Sequence, residues 1–426
     1  MGAGIAAMVS VGAMNPALRV DVDPAAVGLD AARLERIGAR LRTYVDSGLL
    51  PGWSVAVSRR GRVAYVDHYG LRDVEAALPV EGDTIFRIYS MTKPITAVAA
   101  MMLWEEGAFE LHDPVSRFIP SFADFEVWKG GTATAPLTRP LMSPMEVWHV
   151  LTHTSGLTYG FLHSHPVDEL YRVAGYEWGV PEGKDLAAVC DHLTTLPLLF
   201  QPGAEWNYSM ATDVVGRIVE VVSGMALDEF FRTRIFEPLA MTDTGFAVPA
   251  GSLDRLAALY VPTPGTKRPF RHDAMGNRAL KQPVFLGGGG GLVSTMHDYH
   301  RFQQMLASGG LAPDGSRLLS PRTISFMASN HLPGGGDLTT VGRPLFAETT
   351  FDGVGFGLGV SVTLDPVAAK VPGSVGDYGW GGAASTWMMV DPVEDLTALF
   401  MTQLLPSSTH PLRSQLKPLI HHAIID

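Results

Sequence analysis

The sequence predicts an α+β (α/β) chain: one central antiparallel sheet assembled from both termini and flanked by helices, with a mainly helical domain inserted in the middle. Three observations lead there. Alternating β-branched and aromatic runs gather near both ends, 3.6-residue apolar periodicity fills the middle, and 46 Gly with 30 Pro among 426 residues cut the chain into many short elements. At roughly 150 residues per domain, this length suits two or three folding units. The expected organisation is a loose leader over 1–20, a sheet domain from 21–98 and 286–426, and a helical insert over 99–285, with the active site at the seam.

Taken in order, Asp30 precedes Leu34, Ile37, Leu41 and Val45 at helical spacing, and Gly48 supplies a stop. Trp53 to Val57 and Arg62 to Tyr69 flank Arg60-Gly61 and predict a hairpin, followed by a short strand over Thr84 to Ile88. The period then changes: Ile95, Val98, Met101 and Met102 mark one side of a helix from Pro94 to Glu106. Helical patterns over Pro144 to Leu151, Asp185 to Leu196, Ala211 to Ser223 and Leu227 to Arg234 fill a middle with little convincing strand. After the Gly287 to Gly291 run come a helix over Met296 to Ser308 and strands over Val354 to Leu364, Ser374 to Tyr378, Ser385 to Val390 and Leu396 to Gln403. A helix over Leu412 to Ile425 closes the chain.

Hydrophobic residues at 46% and charged residues at 18% exclude a largely disordered chain. A net charge of −11 argues against nucleic acid or an anionic bilayer as a general partner. The one cysteine, Cys190, can make neither an intrachain disulfide nor a multi-thiolate zinc site. Met1 to Ala17 carries no basic residue ahead of its apolar part and falls short of the roughly 18 residues of a span, so it reads as a leader, and a cytoplasmic protein is the expectation.

Several enzyme classes lose weight because their motifs are missing: there is no G-x-S-x-G, no H-E-x-x-H and no G-x-x-x-x-G-K-[ST]. His149 and His153 could share a helix face but have no third ligand, so a structural role within Thr152-His153-Thr154-Ser155-Gly156 is expected. The glycine run lacks a lysine in register and reads as a turn, and His421-His422 as a solvated helix end. What remains is S-x-x-K, present as Ser90-Met91-Thr92-Lys93 and Ser414-Gln415-Leu416-Lys417. Ser414 lies within the closing helix and reads as an exposed polar residue. Ser90 falls where a strand ends and a helix begins, and Pro94 suits a first turn. Positions three apart share a face there, so the Lys93 amine approaches the Ser90 hydroxyl while free amides are available to an oxyanion. From these residues alone, an N-cap serine beside an ordinary surface lysine is as good an account as a catalytic pair.

Three stretches together shift that balance. Ser90-Met91-Thr92-Lys93, Trp206-Asn207-Tyr208-Ser209-Met210 and Gly379-Trp380-Gly381-Gly382-Ala383 stand in the order of the serine β-lactamase and penicillin-recognising superfamily, and the chain resembles its family VIII carboxylesterases, relatives of class C β-lactamases. Leu151 to Leu157 and Gly289 to Thr295 resemble that superfamily as well. The resemblance spans about residues 30 to 405 and implies a class C β-lactamase-like fold. It implies Ser90 as nucleophile, Lys93 and Tyr208 as the pair that takes its proton, and the backbone amides of Ser90 and Ala383 as oxyanion hole. Tyr89, Trp380, Gly381 and Gly382 are then expected to bind substrate. No cofactor and no metal are implied.

Two departures direct the substrate expectation. Met210 stands where the superfamily's tyrosine motif has Asn, and Trp380 where β-lactamases have the Lys of K-T-G. An indole brings apolar surface and one donor but no charge, which favours neutral acyl esters. The sequence therefore predicts a serine carboxylesterase for short-chain esters. A β-lactamase or acyltransferase is the alternative, a β-lactam a weaker substrate, and a silent binding protein on the same fold the third reading.

Overall fold

A computed structural model of the chain describes residues 17–343 and 351–426, so the expected leader lies almost wholly outside the described residues. Eight antiparallel strands form the central sheet: β1 (Gly52–Arg59), β2 (Arg62–Asp73), β3 (Leu78–Pro79), β4 (Val354–Phe356), β5 (Ser361–Thr363), β6 (Tyr378–Gly381), β7 (Trp387–Asp391) and β8 (Leu396–Thr402). Their order is β4-β5-β6-β7-β8-β1-β2-β3, so β8 pairs with β1 and joins the two distant stretches of chain. Arg60 and Gly61 both take positive φ, 54° and 70°, the twist a two-residue hairpin between β1 and β2 requires. Every residue of β1 is buried because helices cover both faces of the sheet.

Side-chain alternation along the strands divides the core. Val55 and Val57 of β1, Met389 of β7, and Ala398 and Phe400 of β8 pack against Leu34, Ile37 and Leu41 of α1 (Ala31–Asp46) and Leu412, Leu416 and Ile420 of the closing helix, α5 (Leu412–His421). Asp30 caps α1 by accepting from Arg33 N at 2.9 Å. On the other face, Met388, Val390, Leu399 and Met401 meet the large core built around α2 (Thr92–Glu105), α3 (Ala211–Ser223) and α4 (Met296–Ala307). Every α2 residue from Thr92 to Leu103 is buried, so this helix is not amphipathic as its spacing suggested but runs through the middle of the molecule. Among the described residues no helix is long and apolar enough to cross a membrane.

Four local expectations need correction. Val354 to Leu364 is not one strand: Gly357 and Gly359 form a bend, and β4 and β5 pair as a hairpin. The strand expected at Ser374 to Tyr378 starts at its end, because Gly376, at φ 91°, turns the chain first. Ile85–Arg87 leaves the main sheet and pairs with Val293–Thr295. The middle also holds hairpins Glu126–Thr132 with Ala135–Pro140, whose largely exposed side chains gave no alternating signal, and Tyr260–Pro262 with Pro269–Arg271, whose strands are only three residues long.

Candidate active site

Ser90 sits on a single 3₁₀ turn, Tyr89–Met91, that runs directly into α2. Tyr89 is held at φ 44°, a left-handed backbone that an aromatic residue adopts only when its surroundings enforce it. Lys93 lies one turn along and is wholly buried. Its Nζ donates to Gly289 O at 2.6 Å, Tyr159 Oη at 3.1 Å and Ser90 Oγ at 3.4 Å, and stands 4.6 Å from the ring centroid of Tyr208. The other S-x-x-K pair behaves differently: Lys417 Nζ donates to Asp377 Oδ1 at 2.8 Å and Thr363 Oγ1 at 3.2 Å. Ser414 is half-buried beside the same cavity as Ser90, not on an open surface.

Tyr208 reaches the site on the loop before α3. Asn207 fixes that loop by donating from Nδ2 to Leu157 O at 3.0 Å and Thr158 Oγ1 at 3.1 Å, while Asn207 N donates to His153 O at 2.9 Å. The His153 ring lies 3.1 Å from Ser209 Oγ and 5.0 Å from the Tyr208 ring centroid. Burial, with Lys93 nearby, holds its pKa well below the ordinary imidazole value, so it stays neutral at pH 7. His149 accepts from Glu146 N at 3.0 Å and caps its own short helix. Both histidines are thus structural supports. Trp380, on β6, donates from Nε1 to Tyr208 Oη at 3.3 Å. Met210, in the place of the superfamily's Asn, is buried at the start of α3.

A cavity of about 210 Å³ opens over these groups. Ser90, Tyr208, Trp380, Gly381, Gly382 and Ala383 all line it, with Phe161, Phe351 and Val354 as apolar wall. Tyr89 does not: its ring packs in the small cluster of Leu259, Ala384 and Leu405, because the strained turn that aims Ser90 at the cavity sends its neighbour elsewhere. Gly382 is fixed in kind, since a Cβ there would overlap Thr386 Oγ1 and Ile88 O.

Three participants escaped the sequence reading. Tyr159 accepts the Lys93 hydrogen bond, and burial, with Tyr208 and Asp213 adding to it, pushes its pKa well above the ordinary phenol value. Asp213 of α3 is buried and its pKa is raised by desolvation, an effect opposed by Lys93 and by the Gly289 amide that donates to Oδ1 at 2.9 Å. Gly289 is the third: a Cβ there would press on Asp213, so the glycine run is an acceptor lining for Lys93 rather than a plain turn. In sequence the run reads only as a turn, and nothing there says what approaches it.

Among the described residues, Asp377, Asp391 and His421 bring possible ligand atoms within 4.8 Å of one another. Both carboxylates already have partners, Lys417 on Asp377 and His421 Nε2 at 3.1 Å from Asp391 Oδ2, and together they tie α5 to β6 and β7. His421, with its side chain 6% exposed, is therefore an anchor and not a solvated helix end.

Residues 37–420 match the family model described as Beta-lactamase. Protein Rv1367c of Mycobacterium tuberculosis (strain ATCC 25618 / H37Rv) is 37% identical over 372 residues, covering 86% of this chain and 89% of the relative. Esterase EstB of Burkholderia gladioli is 32% identical over 401 residues, covering 89% and 93%. The solved structure of EstCE1, described as a hydrolase with promiscuous acyltransferase activity, has a TM-score of 0.75 at 26% identity, over 93% of this chain and 98% of that one.

Proposed function

The chain belongs to the Beta-lactamase family, and from that premise we propose that it is a serine carboxylesterase acting on neutral short-chain acyl esters. The observation that carries this reading is the contact of the buried Lys93 amine with Ser90 Oγ at 3.4 Å, beneath a cavity that Tyr208 and Trp380 share. Ser90 Oγ attacks the ester carbonyl carbon while its proton passes to the Lys93–Tyr208 pair. The backbone amides of Ser90 and Ala383 receive the oxyanion, the alcohol departs with a proton from the pair, and water releases the acid from the acyl-enzyme.

Substrate charge is the selective feature. The K-T-G lysine position holds Trp380, buried and spent on Tyr208, so this position offers no cation to a β-lactam carboxylate. Esterase EstB, a relative, agrees with that ranking. The name given to EstCE1 favours a second outcome for the same acyl-enzyme, transfer to an alcohol in place of water.

Turnover of p-nitrophenyl butyrate beside nitrocefin, with fluorophosphonate labelling of intact protein and Ser90→Ala, tests the reading. Ester hydrolysis and Ser90-dependent labelling are expected, with nitrocefin far slower. Cephalosporin turnover without ester turnover, or labelling that survives Ser90→Ala, would overturn it.

A further inference from the structure

Arg413 of α5 lies over β6 where Gly381 has no side chain; a Cβ there would occupy the place of the guanidinium. Its Nη2 donates to Gly382 O at 2.7 Å and Thr386 O at 3.0 Å. Gly382 O also accepts from Ser385 N at 3.1 Å, and Thr386 O from Gly382 N at 2.9 Å. One cation therefore grips both ends of the tight 382–386 loop.

The carbonyl of Gly382 and the N–H of Ala383 belong to one planar peptide unit, so fixing the first fixes the direction of the second. A charged donor on the carbonyl also draws electron density through the amide and strengthens its N–H as a donor. The loop is braced on its other side as well: Gly382 abuts Ile88 O, which accepts from Thr386 Oγ1 at 3.4 Å and from Met91 N at 3.0 Å, within the turn that carries Ser90. Alternation along β6 puts Gly381 on the face opposite Trp380, and its register partner Trp387 belongs to the core beneath α5. Arg413 thus reaches the loop from the face of β6 opposite the Trp380 side chain.

Resting on the carboxylesterase reading, we propose that Arg413 is a positioning residue for the oxyanion hole, acting through the Gly382–Ala383 peptide unit and not through contact with the reacting atoms. Arg413 also borders the cavity, so the test separates this role from direct substrate binding.

The experiment measures kcat and KM on p-nitrophenyl butyrate, and Ki for a short alkyl trifluoromethyl ketone whose hemiketal oxyanion occupies the hole, in the wild type, Arg413→Met and Arg413→Lys. Arg413→Met is expected to lower kcat by about 10-fold and raise Ki by a similar factor, with KM within about 2-fold. Arg413→Lys, which keeps the charge but reaches fewer carbonyls, is expected to lose about 3-fold in both. If the methionine variant does not fold, the lysine variant carries the test by the same pairing of kcat with Ki. Unchanged kcat and Ki, a fall in kcat without a rise in Ki, or an effect confined to KM would each overturn the proposal. A wild type that neither hydrolyses the ester nor binds the ketone would sink the carboxylesterase reading, and this one with it.

Discussion

The Lys93 ammonium donates to the hydroxyl of Tyr159 at 3.1 Å, whereas it meets Tyr208 over the ring face, 4.6 Å from the centroid. The two phenols therefore have different duties. Tyr159 is buried and its pKa raised, which keeps it a neutral anchor for the amine. Tyr208 lines the same cavity as Ser90 and takes the indole hydrogen bond of Trp380 on its hydroxyl, which leaves that oxygen facing the cavity side of the site. Replacing Tyr208 by Phe or Lys93 by Ala should lower kcat by roughly 10² or more, while Tyr159→Phe should cost about 10-fold. Steady-state kinetics on a neutral ester decides: a Tyr159→Phe loss as large as that of Tyr208→Phe would move the base to Tyr159.

Trp380 gives the second prediction. Trp380→Phe keeps the apolar wall and removes the only side-chain donor the residue has. The expected result is a kcat reduced by about 10-fold at nearly constant KM, because the indole donor to Tyr208 Oη is lost. A KM effect alone would mean that the indole serves only as wall.

Gly382→Ala should be more damaging than its one methyl implies. The added Cβ overlaps Thr386 Oγ1 and Ile88 O, and neither can retreat without moving the loop or the Ser90 turn. Esterase activity should fall by about 10² or more and the thermal unfolding midpoint should fall as well, since relieving the overlap displaces the backbone carbonyl of Ile88. Gly245→Ala, whose Cβ would meet nothing nearer than Ala247 O at 3.5 Å, is the control for a glycine replaced without overlap. Equal activity in the two variants would refute the steric account.

Part of this was legible beforehand for a physical reason: the three-residue spacing of Ser90 and Lys93 is local and survives in sequence, although by itself it left an N-cap serine equally good, and Tyr208 was reached only through the family resemblance of its motif. The hairpin at Arg60-Gly61 and the helix after Asp30 were legible likewise, through turn and capping chemistry within four residues. Tyr159, Asp213 and Gly289 were not, because their contribution lies in contacts across 66 to 196 residues that no short pattern encodes. Trp380 shows the middle case. Its missing charge could be read off, but its hydrogen bond to Tyr208 needed the fold.

Asp213 predicts a trade between activity and stability. Burial raises its pKa, so the folded state holds this proton more tightly than the unfolded one, and above the ordinary carboxylate range ionised Asp213 costs stability. Asp213→Asn keeps an acceptor for the Gly289 amide and removes that cost, but takes away the carboxylate nearest in effect to Lys93. The variant should unfold at an equal or higher temperature at pH 7 and turn over ester more slowly by about 10-fold. Lower stability with full activity would contradict both halves.

His300 carries the last prediction, a pH dependence of stability. Its ring nitrogen lies 2.8 Å from Ser58 Oγ, and burial, followed by His297, lowers its pKa to about 4. Unfolded, the same imidazole takes up a proton near 6.5, so between pH 6.5 and about 4 the unfolded chain binds more protons and stability falls as the pH falls. His153, also held neutral by burial, adds to the same slope, whereas Asp213 opposes it by holding its proton better when folded. From pH 6.5 to 4.5 the His300 share is on the order of 2 kcal/mol at about 1.4 kcal/mol per pKa unit. His300→Gln, which can still bond Ser58, should therefore flatten the acid side of a plot of unfolding midpoint against pH without changing its neutral plateau by much. The check is thermal unfolding at fixed ionic strength from pH 7.5 to 4.5. Parallel curves for the two proteins would show that His300 protonates as readily folded as unfolded, and that burial at this site does not exclude its charge.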